Sequence, residues 1–312
     1  MCSMSVEVVN KIFNCVFHQK CNEVFDENIL KKNLLTERIL CQGSIKHKAC
    51  QENKQRVYEF ERLIQNIASY CCENDIHYYF PKAYQHYPDM GHDVDLFIDI
   101  KGDKLIDFIH NFQLTKDKSS FLNGVAGKSP YLFDFSIPIE THRFAGHFGE
   151  FKQLTQSFYD NLIVDRGVNQ LCDEHKLLNQ IVQRFYGHFT IRLTDIIYSI
   201  NLLNKGVDLS FVEEEADKYG IKSALYEYLG FIFGNFECYI QSNRYSDFNK
   251  KKSKYIYFSS DMFVVNRGFA LKLFLLKSLS DLMHFRIFAL TRLLTAPLVL
   301  LAMIVRRIFN KG

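Results

Sequence analysis

The stretch Asp93-Val-Asp95-Leu-Phe-Ile-Asp-Ile100 constrains this chain more than any other. It reads as a central strand, mostly apolar, yet it opens with two carboxylates one residue apart. On an extended strand, residues i and i+2 stand on the same face. Asp93 and Asp95 would therefore lie side by side and repel each other unless a cation lies between them. A divalent metal is the usual way to offset such a pair.

The surrounding residues fit a sheet. Ile76 to Phe80 reads as a first strand, and Pro81 and Pro88 bracket a loop. Asp89-Met-Gly91 then turns the chain into the acidic strand. Lys101-Gly-Asp103 is a second turn, Lys104 to Phe112 a short helix, and Tyr131 to Ile139 a third strand with Asp134 in its middle. Phe133 and Phe135 are bulky and face away from Asp134. If the strands are neighbours, Asp93, Asp95 and Asp134 converge on one site of oxygen ligands.

Helical periodicity governs both sides of this core. Val6 to Phe17 and Glu27 to Leu40 read as helices, with Cys41-Gln-Gly43 as a break. From Gln51 to Tyr70 the apolar positions Val57, Phe60, Leu63, Ile64, Ile67 and Ala68 form the stripe of an amphipathic helix. Beyond Glu150, helices are expected over Phe151–Asn161, Glu174–Leu203, Ser210–Tyr219 and Ser223–Gln241, with Asn204-Lys-Gly206 as a stop. Asn243 to Lys254 is polar and basic, an expected exposed loop. Phe269 to Phe309 is apolar and basic.

The expected fold class is α+β, a small mixed-sheet core with an appended helical domain and a C-terminal helical tail. The expected divisions are an N-terminal helical segment over 1–50, the α/β core over 51–149, the helical domain over 150–242 and the tail over 243–312. A 47% hydrophobic and 23% charged composition supports folded globular structure rather than a disordered chain. Nine cysteines, with no C-x-x-C pair, fit reduced thiols in a cytoplasmic protein.

Charge is unevenly distributed. Residues 244–312 carry 13 Lys/Arg against 3 Asp/Glu, whereas the rest of the chain carries 25 against 32. A basic tail of this kind suggests an anionic partner. Ile287 to Val305 is largely apolar, interrupted by Arg292 and Pro297. An amphipathic helix over residues 268–309, lying in an anionic membrane interface, is expected rather than a spanning helix.

The quoted residues carry a family resemblance. Gly91-His92-Asp93-Val-Asp95-Leu-Phe-Ile resembles the metal-binding Asp-x-Asp strand of the nucleotidyltransferase superfamily of the DNA polymerase beta type. Phe133-Asp134-Phe135-Ser136 resembles that family's third-carboxylate strand. His188-Phe-Thr-Ile-Arg192-Leu-Thr-Asp195 is similar to one of its helical segments. The likeness runs from about Val57 to about Tyr228 and is nearest to the bacterial uncharacterised nucleotidyltransferases.

The resemblance implies an enzyme that transfers a nucleoside monophosphate from a nucleoside triphosphate to a hydroxyl acceptor. It implies that Asp93 and Asp95 hold two Mg2+ ions, with Mn2+ as the alternative. Asp134 would join them and take the acceptor's proton. Lys82, His92, Arg143 and Arg192 are the expected nucleotide-binding residues. The family's Gly-Ser turn is replaced here by Lys82-Ala83, which puts a point charge where backbone amides are usual.

Two other functions are carried alongside. One is a scaffold that keeps this fold without the chemistry. The other is a nucleic-acid-modifying transferase using Lys250-Lys-Lys-Ser-Lys254 and the tail, for which the sequence offers less. Gly124-Val-Ala-Gly127-Lys128-Ser129 is not a phosphate loop, because it precedes a strand rather than a helix. His142 and His147 could form a zinc site with His92, but their spacing of five and the lack of a third nearby ligand favour cleft-lining or satisfied loop histidines.

Overall fold

The structure, a computed structural model, describes residues 6–18, 24–40, 48–85, 87, 89, 93–100, 102–116, 128–133, 137–142, 151–241, 253–259 and 261–283. Helices α1 (Val6–His18), α2 (Glu27–Lys32), α3 (Thr36–Leu40) and α4 (Lys48–Glu73) precede the first strand. The helix expected over 27–40 is broken into two at Asn33-Leu34. Leu34 takes a left-handed φ of 52°, and the Asn33 side chain is committed to tertiary partners. Its amide donates to the carbonyls of Ile29 and Asp261, and its Oδ1 accepts from the Leu193 N–H at 3.0 Å. A buried asparagine with all three bonds made fixes a chain break better than helix continuation would.

The expected apolar stripe of α4 is the one buried: Phe60, Leu63, Ile64, Ile67 and Ala68 lie in the core beneath a five-stranded mixed sheet. Strands β1 (Tyr78–Tyr79), β2 (Val94–Ile98), β3 (Leu114–Lys116), β4 (Lys128–Phe133) and β5 (Ile139–His142) are ordered β1-β2-β5-β4-β3. Helix α5 (Asp103–Asn111) follows β2 and buries Phe108 in the same core. Only β2 and β5 run parallel in this sheet. The third strand, expected to run from Tyr131 to Ile139, is instead two antiparallel strands, with residues 134–136 between them outside the described set. Pro138 immediately precedes β5 and, lacking an N–H, contributes its carbonyl to the Val94 N–H at 2.9 Å.

The second half contains α6 (Lys152–Asp160), β6 (Leu162–Asp165), β7 (Val168–Leu171), α7 (Asp173–Gln183), β8 (Thr190–Ile191), α8 (Leu193–Lys205), α9 (Leu209–Lys218) and α10 (Lys222–Phe236). The hairpin β6–β7 was not anticipated from sequence. Its two-residue loop, Arg166-Gly167, has φ of 51° and 75°, as the commonest tight hairpin turn requires. The single helix expected over Glu174–Leu203 is likewise interrupted. A π-type turn at Arg184–His188 ends on Phe189 with a left-handed φ of 58°, and Thr190-Ile191 then pair with a later strand. Helical spacing of apolar residues on both sides of the break had masked it.

A second hairpin, β9 (Ile256–Ser259) and β10 (Met262–Val265), completes a sheet with β8, and helix α11 (Arg267–Met283) follows. The larger core joins α1–α3 to this helical half. Phe13 of α1 stacks on Phe236 at 4.7 Å, and Phe231 meets Phe263 at 4.8 Å.

One buried ion pair organises the break after α7. Arg184 donates to Asp195 Oδ1 at 2.7 Å with 5% and 0% of the two side chains exposed. Asp195 Oδ2 accepts the Arg192 N–H at 2.8 Å, capping α8. Asp195→Ala would strand the guanidinium, and urea denaturation should show a loss of about 3–5 kcal/mol. Asp195→Leu combined with Arg184→Met should cost much less. An Asp195→Ala loss below about 1 kcal/mol would fit only a surface-like pair.

Candidate functional site

The alternation of β2 divides its side chains between two environments. Val94, Leu96 and Ile98 face the core over α4, while Asp95 and Phe97 occupy the opposite face. Phe97 stacks on Tyr79 at 4.6 Å and on the His142 ring at 5.1 Å. The parallel register sets Asp95 opposite Glu140 and Phe97 opposite His142. Cross-strand partners share a face of the sheet, so two acids and an imidazole meet beside an aromatic floor.

The distances are short. His142 Nε2 is 2.9 Å from Asp95 Oδ1 and 3.4 Å from Glu140 Oε2. Lys82 Nζ is 2.7 Å from Asp95 Oδ2. One ligand atom from each of Asp95, Glu140 and His142 lies within 4.8 Å of the other two. The Asp95 side chain is 13% exposed and that of Glu140 28%, so the charges are sheltered yet reachable.

Burial alone would raise the Asp95 pKa. The Lys82 ammonium, together with the hydrogen bond and charge of His142, outweighs that effect and holds the carboxyl well below its ordinary range. An ionised carboxylate only accepts, so the His142 Nε2–H is the donor to Asp95. The donor set, two carboxylates and an imidazole, suits a divalent cation. A mixed oxygen and nitrogen set accommodates Mn2+ at least as readily as Mg2+. Lys82 places a positive charge where such an ion would bind Asp95.

Lys82 is placed by its neighbours. Ala83 is buried, and Gln85 donates to Gln180 of α7 at 2.6 Å. Phe80 bonds through its N–H to Asn169 of β7 at 3.0 Å. The turn after β1 is thus fastened to the helical half. On the other side of the loop, Asp89 caps α3 by accepting from the Glu37 and Arg38 amides at 2.6 and 3.0 Å. Burial pushes the Asp89 carboxyl up to about 6 in spite of those bonds.

Asp93 precedes β2 and interacts electrostatically with two arginines, Arg56 of α4 and Arg192 at the start of α8. Burial lowers the pKa of both guanidinium groups, and Arg184 lowers that of Arg192 further; Asp93 offsets part of this in each. Lys82 thus answers Asp95, while Arg56 and Arg192 answer Asp93. This is the charge pattern that a polyphosphate with its metal would meet.

Of the residues expected from sequence, the structure pairs Asp95 with Lys82 and sets Asp93 within electrostatic reach of Arg192, whereas the cluster of metal-ligating groups around Asp95 contains Glu140 and His142 and not Asp93. Asp134, His92 and Arg143 lie outside the described residues. Glu140 was missed, Arg56 was not singled out, and His142, expected as a cleft or loop histidine, lies on β5 beside Asp95. The signal for Glu140 and His142 was the alternation Ile137-Pro-Ile139-Glu-Thr141-His142, an edge of apolar and polar residues after a proline. No protein-family model, curated protein or solved structure matches the chain.

A depressed carboxylate pKa stabilises the fold above the unfolded value of about 3.9 and loses that contribution as pH falls through the folded value. Asp95 should therefore stay ionised from neutral pH to below the ordinary carboxylate range, as read from its 13Cγ shift. Lys82→Met should move the midpoint upward. A wild-type midpoint at about 4 would mean that Lys82 and His142 do not hold the carboxylate.

Proposed function

We propose that this chain is a metal-dependent nucleotidyltransferase, moving a nucleoside monophosphate from a nucleoside triphosphate to a hydroxyl acceptor. The observation that carries the reading is the in-register meeting of Asp95 with Glu140 across the one parallel strand pair of the five-stranded sheet. Asp93, two residues before Asp95, and the basic residues around both support it.

In this reading Asp95, Glu140 and His142 would hold a divalent cation, Mg2+ or Mn2+, with Asp93 as a further carboxylate at the opening of the strand. Bound there, the ion would neutralise phosphate charge and stabilise the entering and leaving oxygens of an in-line displacement. Glu140 takes the third-carboxylate role, because it is the acid set opposite Asp95. As the acceptor oxygen bonds to the α-phosphorus, its proton passes to Glu140 and the bond to pyrophosphate breaks. Lys82 leaves Asp95 Oδ2 for the triphosphate, where an ammonium acts as a point charge. Arg56 and Arg192 balance the remaining phosphate charge.

We place the acceptor in envelope glycan or lipid-linked metabolism, reached from the cytoplasmic face of a membrane. The support is the basic, apolar run after α11. A second reading, a scaffold that has lost the chemistry, draws on Lys82 pairing with Asp95 where a metal would bind.

Calorimetry or Mn2+ electron paramagnetic resonance separates the two. Wild type should bind Mn2+ weakly alone and about tenfold more tightly with a triphosphate, since each ligand draws Lys82 off the other's site. Lys82→Met should tighten Mn2+ alone and weaken the triphosphate. Asp95→Asn should abolish metal-dependent binding, and Glu140→Gln should lower turnover by about a hundredfold or more. Equal binding by wild type and Asp95→Asn would remove the site assignment. Absence of both ligands from wild type would leave the scaffold.

A further inference from the structure

Helix α11 is fastened to the protein along one side only. Phe269, Ala270 and Leu273 enter the larger core, and Phe269 stacks on Tyr255 at 4.1 Å. Lys277 and Asp281 form an ion pair in which 2% and 1% of the side chains are exposed, with the ammonium 5.4 Å from the Phe151 ring centre. The other side carries Leu271, Leu275, Leu276, Leu279 and Met283, between 43% and 65% exposed. Offsets of four, five, eight and twelve residues from Leu271 keep all five on one side of a helix with 3.6 residues per turn. Single exposed leucines need no explanation, but a ridge of five does.

The sequence around the ridge says what would cover it. Residues 267–312 carry eight Lys/Arg and one acid, Asp281. Asp281 is already neutralised by Lys277, so seven basic residues remain without an acid in this part of the chain. Arg267 and Lys272 are exposed on α11 itself. The residues after Met283 include the apolar run Ile287–Val305, flanked by Arg286, Arg306 and Arg307. The ridge offers apolar side chains, the run adds more in sequence, and the basic residues around both call for negative charge. A surface offering apolar depth and negative charge together satisfies both demands.

We infer that the exposed side of α11 is a docking surface for an anionic lipid bilayer. The ridge enters the acyl boundary while Arg267 and Lys272 reach the headgroups by extending their long stems. One side of α11 is packed into the protein core through Phe269, Ala270, Leu273 and the Lys277–Asp281 pair, so in this proposal α11 lies on the bilayer rather than through it. The buried Lys277–Asp281 pair and the Phe269 stack hold the ridge outward, so the surface is presented without unfolding anything. The inference rests on the membrane-side placement proposed above and not on the transfer chemistry at Asp95.

The chain contains no tryptophan, so Leu275→Trp in the full chain introduces a sole indole reporter. With vesicles of phosphatidylcholine plus phosphatidylglycerol, its emission should shift to the blue and be quenched by brominated acyl chains. Phosphatidylcholine alone should give little of either. Leu275→Glu combined with Leu279→Glu should weaken co-sedimentation with the anionic vesicles by roughly tenfold or more, with an unchanged circular dichroism spectrum, because both positions are exposed. Equal sedimentation of the double variant and wild type would overturn the inference. So would an indole that stays in water on bound protein, or a concentration-dependent dimer that the double variant abolishes. Each of these outcomes leaves metal and triphosphate binding at Asp95 untouched.

Discussion

A carboxylate pair on adjacent parallel strands has to be compensated, and the arrangement around Asp95 is built to do so. The β2–β5 register brings Glu140 to Asp95, and like charges at that separation are costly in a partly buried site. Lys82 and His142 supply the compensation, one on each Asp95 oxygen. The rest of the architecture holds these parts in place. The Lys82 turn is fixed by Ala83 and Gln85, the β1 end by β7, and the loop before β2 by the Asp89 cap on α3.

The helical half contributes to the same site. The buried Arg184–Asp195 pair stands behind Arg192, and Asp195 holds the Arg192 N–H. That places an arginine at the start of α8 within electrostatic reach of Asp93. Asn33 ties the α2–α3 break to the same helix start and to the β9–β10 turn. The N-terminal helices therefore act as a brace on the site rather than as an appendage.

Much of the local structure was legible in the residues. The stripe of α4, the acidic opening of β2, the stop at Gly206 and the α+β class all follow from periodicity and turn chemistry. The breaks were less so. Residues 174–203 keep helical apolar spacing across an interruption that arises because Phe189 turns left-handed and Thr190-Ile191 find a strand partner in β10. The division of the expected third strand was not read from the sequence, because Tyr131–Phe133 and Ile137–Ile139 are apolar alike and only pairing shows that they run antiparallel. Glu140 was invisible as a site residue because its partner lies 45 positions away in sequence, and only register sets them opposite.

The sequence by itself determined that two acids stand one residue apart at the opening of an apolar strand, and that the C-terminal region is both apolar and basic. These are properties of covalent spacing and charge count. Tertiary structure decided which cations and which further acid answer Asp95, because that depends on strand order and register. It also decided that α11 turns its leucines outward, since burying Phe269 and the Lys277–Asp281 pair leaves the opposite side of the helix exposed.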